Sequence, residues 1–248
     1  MPQTVAVDSG VDSGSGTACA PWIMGCDDGF EYYVKLVGRC QEQPPFREAE
    51  YVTGRLGQVL GAPVLDVAAV LVPAPIASLI ASATARAITE QWAVGTKKTE
   101  ITPETPATFP GLVSAQASED VLRIVALHLW LAVGDHDSSG HNFFRRIPDD
   151  KLVTADHCTA LAAALIGGGP QPVAAQDPGG LLTMQPWDDT VRNAVAAQVR
   201  AIARTELDAL LSEFPDDPIN PWLEPGKRPA VTDWIMARQI EVADVISS

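Results

Sequence analysis

The order of hydrophobic patterns along the chain is the feature that most restricts its fold. The first 40 residues contain three short apolar runs, TVAV, ACAPWIMGC and FEYYVKLVG, which are separated by turns rich in Gly, Ser and Asp and are typical of β-strands. From Ser118 onward, apolar residues recur mainly at helical spacing. Residues 99–111 contain three prolines and are predicted to form a loop or linker. We therefore predict an α+β chain with two lobes, a β-rich lobe over residues 1–98 and a helical lobe over residues 99–248.

The first lobe is also predicted to contain a helix that starts after Pro45. Apolar residues fall at helical spacing from Val52 to Leu60, and Gly61 and Pro63 are typical of a helix end. The runs LDVAAVLV and ITEQWAVGTKK predict two further strands, the first of them buried, with an Ala-rich helix between them. Strand, turn and helix signals thus alternate throughout this lobe.

In the second lobe the sequence predicts a helix with Ser118 as its N-cap. A short strand follows in KLVTAD, and residues 188–214 and 230–247 each have the pattern of an amphipathic helix. Residues 167–180, rich in Gly and Pro, are predicted to form a mobile loop that borders a functional cleft.

Composition excludes several classes of protein. Hydrophobic residues make up 46% of the 248 residues, enough for a real core, and the net charge of −14 argues against a nucleic-acid-binding surface. Pro73 and Pro75 interrupt the apolar segment 65–87, so we predict no membrane span. The start of the sequence lacks a secretory signal pattern, and the cysteines at 19, 26, 40 and 158 have no zinc-finger spacing. A cytoplasmic protein with free thiols is the expectation.

The stretch GDHDSSGHNFF, residues 134–144, concentrates acidic, amide and imidazole groups directly after the predicted helix. A second acidic segment, VTADHCTAL, follows. Asp137 and Asn142 are separated by four residues, and Asp156 follows a predicted strand. Phosphoryl transfer uses groups of this kind, because one Asp orients the acceptor hydroxyl while an Asn and a second Asp hold Mg²⁺. The sequence therefore indicates Asp137 as the catalytic residue and Asn142 and Asp156 as magnesium ligands.

The first lobe supplies the other groups that such a site requires. Lys35 lies near the end of a predicted strand, where it would bind ATP phosphates, and Glu50 lies on the next helix, where it would orient the lysine. We predict that these two side chains form an ion pair, with Glu48 as the alternative partner. The loop between the first two strands would contact ATP through Ser13, Gly14, Ser15 and Gly16.

These motifs resemble those of the bacterial HipA-like kinases and, more distantly, the phosphatidylinositol kinases. The resemblance rests on GDHDSSGHNFF with TADHCTALA, and on FEYYVKL with EAEYVTGRLGQVLGAPVLDVAAV. It implies a protein-kinase-like fold and phosphotransfer that depends on ATP and Mg²⁺, with Lys35, Asp137, Asn142 and Asp156 in the roles given above. The sequence departs from the family pattern at Cys158, which replaces a glycine, and in its degenerate Gly-rich loop.

Two alternatives remain open at this stage. The same fold could serve as a nucleotide-binding pseudokinase or regulatory module. The second alternative is a metal-dependent hydrolase, in which the metal would be held by His136, Asp137, His141, Asp156 and His157. Imidazole and carboxylate ligands together suit zinc, manganese or iron. The phosphoryl acceptor, a protein or a small-molecule hydroxyl, is not indicated by any motif.

Overall fold

The structure is a computed structural model. It describes residues 1, 4–9, 21–37, 45–84, 86–134, 136, 140, 142–173, 178–183, 185–217 and 221–248, with the backbone alone for residues 5–9, 178 and 179.

A five-stranded antiparallel sheet forms the first lobe. Its strands are β1 (Thr4–Ser9), β2 (Trp22–Cys26), β3 (Glu31–Lys35), β4 (Val67–Val72) and β5 (Gln91–Lys97), in the spatial order β1-β2-β3-β5-β4. The strands predicted from the apolar runs are all present. The one around LDVAAVLV lies at an edge of the sheet and is only half-buried, because β5 alone pairs with it among the described strands.

Alternation along β3 directs its side chains to different environments. Tyr32 and Val34 point into a core that includes Ala77 and Ile80 of helix α2 (Ala74–Thr84), which covers one face of the sheet. Because successive side chains of a strand point to opposite faces, Tyr33 and Lys35 face the other side. That side is covered by helix α1 (Phe46–Leu60) and opens into a cleft.

Helix α1 ends where the sequence predicts. Gly61 is its C-cap and has a φ of 72°, a left-handed conformation that glycine adopts without steric cost. The following residues then join the second lobe, since Thr154 donates its N–H to the Pro63 carbonyl and accepts from the N–H of Leu65. The end of α1 is therefore fixed to the strand that precedes Asp156.

The second lobe contains a three-stranded antiparallel sheet and six α-helices among its described residues. Strands β6 (Ile101–Pro103), β7 (Phe143–Arg146) and β8 (Lys151–Thr154) lie in sequence order. Helix α4 (Ser118–Leu131) runs through the core and packs against α6 (Asp189–Ala201) and α8 (Arg228–Ser247). The remaining helices are α3 (Phe109–Ala115), the short α5 (Ala162–Leu165) and α7 (Arg204–Ser212).

Three local predictions for the second lobe are wrong. Residues 99–111 are not a plain linker, because Ile101–Pro103 pairs with β7 and α3 begins at Phe109 with Pro110 in its first turn. The N-cap of α4 is Ala117 and not Ser118. The predicted helix over 188–214 is interrupted at Ile202, where Gln239 of α8 donates to the carbonyls of Val199 and Ile202, both at 2.7 Å.

No helix within the described ranges is long and apolar enough to cross a membrane. The prediction of no membrane span over residues 65–87 agrees with this, since the segment forms β4 and α2 with Pro73 between them.

Candidate active site

Lys35, Glu50 and Asp156 form a charged triad where the two lobes meet. The Lys35 Nζ lies 3.1 Å from Glu50 Oε2 and 2.5 Å from Asp156 Oδ1. The second carboxylate oxygen of Glu50 accepts the backbone N–H of Asp156 at 3.2 Å. The predicted pairing of Lys35 with Glu50 is confirmed. Glu48 lies elsewhere, with its Oε1 3.8 Å from Arg47.

The β7–β8 hairpin brings Asn142 and Asp156 to the same end of the second sheet. Phe143 pairs with Thr154, so the residues just before β7 and just after β8 are neighbours. Backbone bonds tighten this end, because the Asn142 carbonyl accepts from Ala155 N and from Thr154 Oγ1. The two predicted magnesium ligands therefore lie on adjacent segments although 13 residues intervene in the sequence.

Both residues also have a left-handed backbone. The φ angles are 60° for Asn142 and 63° for Asp156, values that are uncommon for residues other than glycine and that Asn and Asp tolerate best. Such conformations are concentrated at functional sites, where the surrounding structure holds them in place.

A cavity of about 190 Å³ opens between the lobes beside the triad. Lys35, Glu50 and Asp156 line it at one side. The rest of its described lining is mainly apolar and comes from both lobes: Pro21, Tyr33, Leu65, Thr96, Ile101, Phe144 and Ala155. A pocket with a mainly apolar wall and a few charged groups at one side suits a ligand that is apolar in part and also carries a polar or ionic group.

Burial and charge act in opposite directions on the triad. Burial alone would lower the pKa of Lys35, but the negative charges of Glu50 and Asp156 raise it well above its usual range. The pKa of Glu50 is raised, chiefly by burial, with the Lys35 charge opposing and the Asp156 charge adding to the effect. The two carboxylates thus favour the charged form of Lys35 beside the cavity.

The other predicted site residues lie outside the described residues. These are Ser13, Gly14, Ser15 and Gly16 of the first loop, together with Asp137 and His141. His136, the residue before Asp137, lies within the described residues. His136 is fully buried, and its Nε2 lies 2.9 Å from the carbonyl oxygen of Ala155, the residue before Asp156.

Three members of the predicted metal cage, His136, Asp156 and His157, lie within the described residues, and they do not form one metal-ligand cluster there. His136 and His157 lie near each other, but Asp156 is ion-paired with Lys35, and the third imidazole is that of His128 on α4. Sequence reasoning missed His128 because it lies inside a dense apolar helix, where a lone histidine gives no signal. It is fully buried.

Arg238 is a second residue that the sequence did not reveal. It is 1% exposed, and its guanidinium donates to the carbonyls of Leu129, Trp130 and Gln171, with 2.8 Å between Nε and the Trp130 oxygen. A cation there complements the negative end of the α4 dipole. Arg238 thereby fixes the helix end from which the 134–144 stretch departs.

The described part of the 167–180 loop does not border the cavity. Val173 is fully buried and donates its N–H to Glu241 of α8, and Gln171 is held by Arg238. The prediction that this loop lines the cleft is therefore wrong for residues 167–173 and 180, none of which lines the cavity.

Comparison with known proteins supports a kinase-like architecture. No protein-family model and no curated protein sequence matches the chain. Among solved structures, the chain is similar to the Helicobacter pylori proinflammatory kinase CtkA, with a TM-score of 0.54, 12% sequence identity, and coverage of 93% of this chain and 95% of that chain. A likeness at this identity shows the fold alone. The chain has a two-lobed, protein-kinase-like α+β fold, as predicted.

Proposed function

We propose that the protein is a phosphotransferase of HipA-like type that moves the terminal phosphoryl group of ATP to a hydroxyl acceptor in the presence of Mg²⁺. The observation that carries the proposal is the Lys35–Glu50–Asp156 triad at the end of an interlobe cavity. Kinases need a buried lysine held by a helix glutamate, and an Asp on a following strand end, at this place. The similarity to a kinase fold agrees with this assignment.

The residues fit the proposed ligands by their chemistry. Lys35 would bind ATP phosphates, since its charged form is favoured and Glu50 orients its amine. The Asn142 amide and Asp156 carboxylate are hard oxygen donors, which Mg²⁺ prefers. The Asp156 side chain is 41% exposed and so accessible from the cavity. Bound Mg²⁺ would neutralise part of the negative charge of the ATP phosphates.

Asp137 is proposed to orient the acceptor hydroxyl and to accept its proton. The position of His136, the residue before Asp137, supports this role. Its ring is held in place because Nε2 lies 2.9 Å from the carbonyl oxygen of Ala155. The acceptor is proposed to be a protein or a small-molecule hydroxyl. Ser13, Gly14, Ser15 and Gly16 are proposed to contact the phosphates through their backbone.

Two substitutions test the proposal. Asp156→Asn should weaken binding of Mg·ATP, because an amide is a poorer ligand for a hard cation than a carboxylate. Asp137→Asn should leave Mg·ATP binding nearly intact and slow transfer by about 10²–10⁴-fold, the usual contribution of a positioned acid–base group. A nucleotide titration and a radiolabel-transfer assay on both variants and the wild type measure these effects.

The results separate the alternatives. Wild-type protein that binds Mg·ATP but transfers phosphate to no acceptor, water included, would favour a pseudokinase. No affinity for Mg·ATP would exclude both nucleotide-dependent functions. A hydrolase built on the buried imidazoles is disfavoured, since His128, His136 and His157 are at most 2% exposed and a substrate could not reach them.

A further inference from the structure

Three histidines from different segments meet behind the candidate active site. His128 lies on α4, His136 in the stretch that follows α4, and His157 directly after Asp156. Each ring offers one nitrogen that lies within 4.8 Å of the others. The rings of His136 and His157 stack in parallel at 4.9 Å, and the His128 ring meets that of His136 edge-on at 4.5 Å.

His128 is the unusual member of this cluster. It is fully buried, and in the described part of the chain neither of its ring nitrogens has a hydrogen-bond partner. Buried polar groups in folded proteins nearly always have a partner, so a fully unsatisfied imidazole that faces two others indicates a missing ligand.

We propose that His128, His136 and His157 bind a transition-metal ion, with Zn²⁺ as the ion that fits best. Imidazole nitrogen suits zinc, whereas Mg²⁺ prefers oxygen ligands such as those of Asn142 and Asp156. The site is therefore chemically distinct from the proposed magnesium site, and it does not depend on the proposed function.

The surroundings of the rings fit metal coordination. A metal-bound histidine usually donates its second ring N–H to a nearby oxygen, which sets its orientation. His136 has the Ala155 carbonyl for this purpose at 2.9 Å, and His157 has Thr154 Oγ1 at 3.2 Å.

Metal binding requires the cluster to close and one of the two stacked rings, His136 or His157, to turn so that their nitrogens face the same ion. Tetrahedral zinc with bonds of about 2.0–2.1 Å places its nitrogen ligands about 3.3 Å apart. The rings would therefore approach by at most about 1.5 Å from their present separation of up to 4.8 Å. Bound metal would connect α4, His136 and the segment that follows β8, which gives it a structural role in holding these three parts of the second lobe together.

The test is zinc binding by the purified full chain. Protein stripped with a chelator is reloaded with zinc chloride, and metal content and affinity are measured by mass spectrometry and chelator competition. We expect equimolar zinc in the wild type and at least about 100-fold weaker binding in His128→Gln, since loss of a ligand exceeds the effect of losing an outer-shell partner. Cobalt(II) should give the visible absorption of a tetrahedral nitrogen site.

Two controls separate this site from its neighbours. Asp156→Asn should retain zinc while Mg·ATP binding is weakened, so the failure of either proposal is recognised independently. Cys26→Ser, which alters a buried thiol in the distant sheet, should also retain zinc. Substoichiometric zinc in the wild type, or zinc affinity unchanged by His128→Gln, would overturn the proposal.

A measurement on the wild type covers the case in which His128→Gln does not fold. Isotope-labelled histidine allows the ring-nitrogen chemical shifts to be followed by NMR during zinc addition. Shifts of the three buried rings at equimolar zinc support the site. Rings that stay unchanged while zinc is present would show that the cluster binds no metal.

Discussion

At the scale of single residues, the site depends on one cation placed between two carboxylates. Lys35 is 7% exposed and lies between the carboxylates of Glu50 and Asp156. Burying an unpaired charge is strongly unfavourable, so the buried pair Lys35 and Glu50 require each other, whereas the Asp156 carboxylate is also partly exposed to solvent. A phosphate at Lys35 and a metal ion at Asp156 would satisfy the two groups separately.

The protonation of Lys35 can be measured by competitive amine labelling with acetic anhydride over a range of alkaline pH. Only the neutral amine reacts, and the two carboxylates raise the pKa of Lys35, so its labelling should begin only at very high pH. Asp156→Asn removes one raising charge, and the labelling midpoint should move to lower pH by about 1–3 pH units. Exposed Lys151 is the comparison amine. A midpoint that does not respond to Asp156→Asn would contradict the triad.

At the scale of elements, helix α1 packs closely against β4 and α4, and two of its glycines lie at the contacts. A Cβ on Gly54 would lie 2.5 Å from Val67 Cγ2, and one on Gly57 would lie 2.7 Å from Val64 Cγ1. These glycines allow a close approach of the helix to the sheet. Glu50 is one turn before Gly54, so the seating of the helix sets the position of the carboxylate that binds Lys35.

Gly54→Ala should therefore push α1 away from β4. Overpacking of this kind usually lowers the free energy of unfolding by about 1–3 kcal/mol, and Mg·ATP affinity should fall with it because Glu50 moves. Gly111→Ala in α3 is the matched control, since nothing lies within 4 Å of its added Cβ. That change should be neutral or stabilising by up to about 1 kcal/mol. Chemical unfolding and nucleotide titration of both variants provide the comparison, and equal effects would refute the argument.

At the scale of the whole molecule, the end of α7 holds helix α1 from the second lobe. Glu213 Oε2 accepts from the Tyr51 hydroxyl at 2.7 Å and from Arg55 Nε at 3.1 Å, and its Oε1 accepts from Arg55 at 3.0 Å. Asp217, four residues after Glu213, accepts a hydrogen bond from the backbone N–H of Trp92 on β5. The two lobes are thus connected both at the candidate active site and through the contacts of Glu213 and Asp217.

Glu213→Ala should weaken this connection. Hydrogen bonds to a charged group contribute about 1.5–3 kcal/mol, and the Arg55 and Glu213 side chains are each 37% exposed, so a loss of about 1–2 kcal/mol of unfolding free energy is expected. Glu224→Ala removes an exposed pair with Lys227 and should change stability by less than about 0.5 kcal/mol. Denaturant unfolding measures both variants. A Glu213→Ala variant as stable as Glu224→Ala would show that the contact is not stabilising.

The sequence by itself determined the elements whose signals are local. Apolar runs bounded by turn residues define β2, β3 and β5, and helical spacing of apolar residues that ends at Gly61 defines α1. Lys35 and Asp156 could be proposed for one site because each lies at the end of a predicted strand. These signals act within a few residues, where backbone geometry and side-chain period decide the structure. The resemblance in motif order extended them to a kinase-like fold.

The tertiary structure decided what depends on distant partners. Residues 101–103 become a strand because β7 lies beside them, and the helix over 188–214 breaks at Ile202 because Gln239 satisfies the carbonyls there. The direct contact of Lys35 with Asp156 joins residues 121 positions apart. The His128 cluster exists only because the second half of α4 is buried, so that an imidazole in an apolar helix meets two others in the interior. Burial and contact of this kind are properties of the packed chain, and no local pattern encodes them.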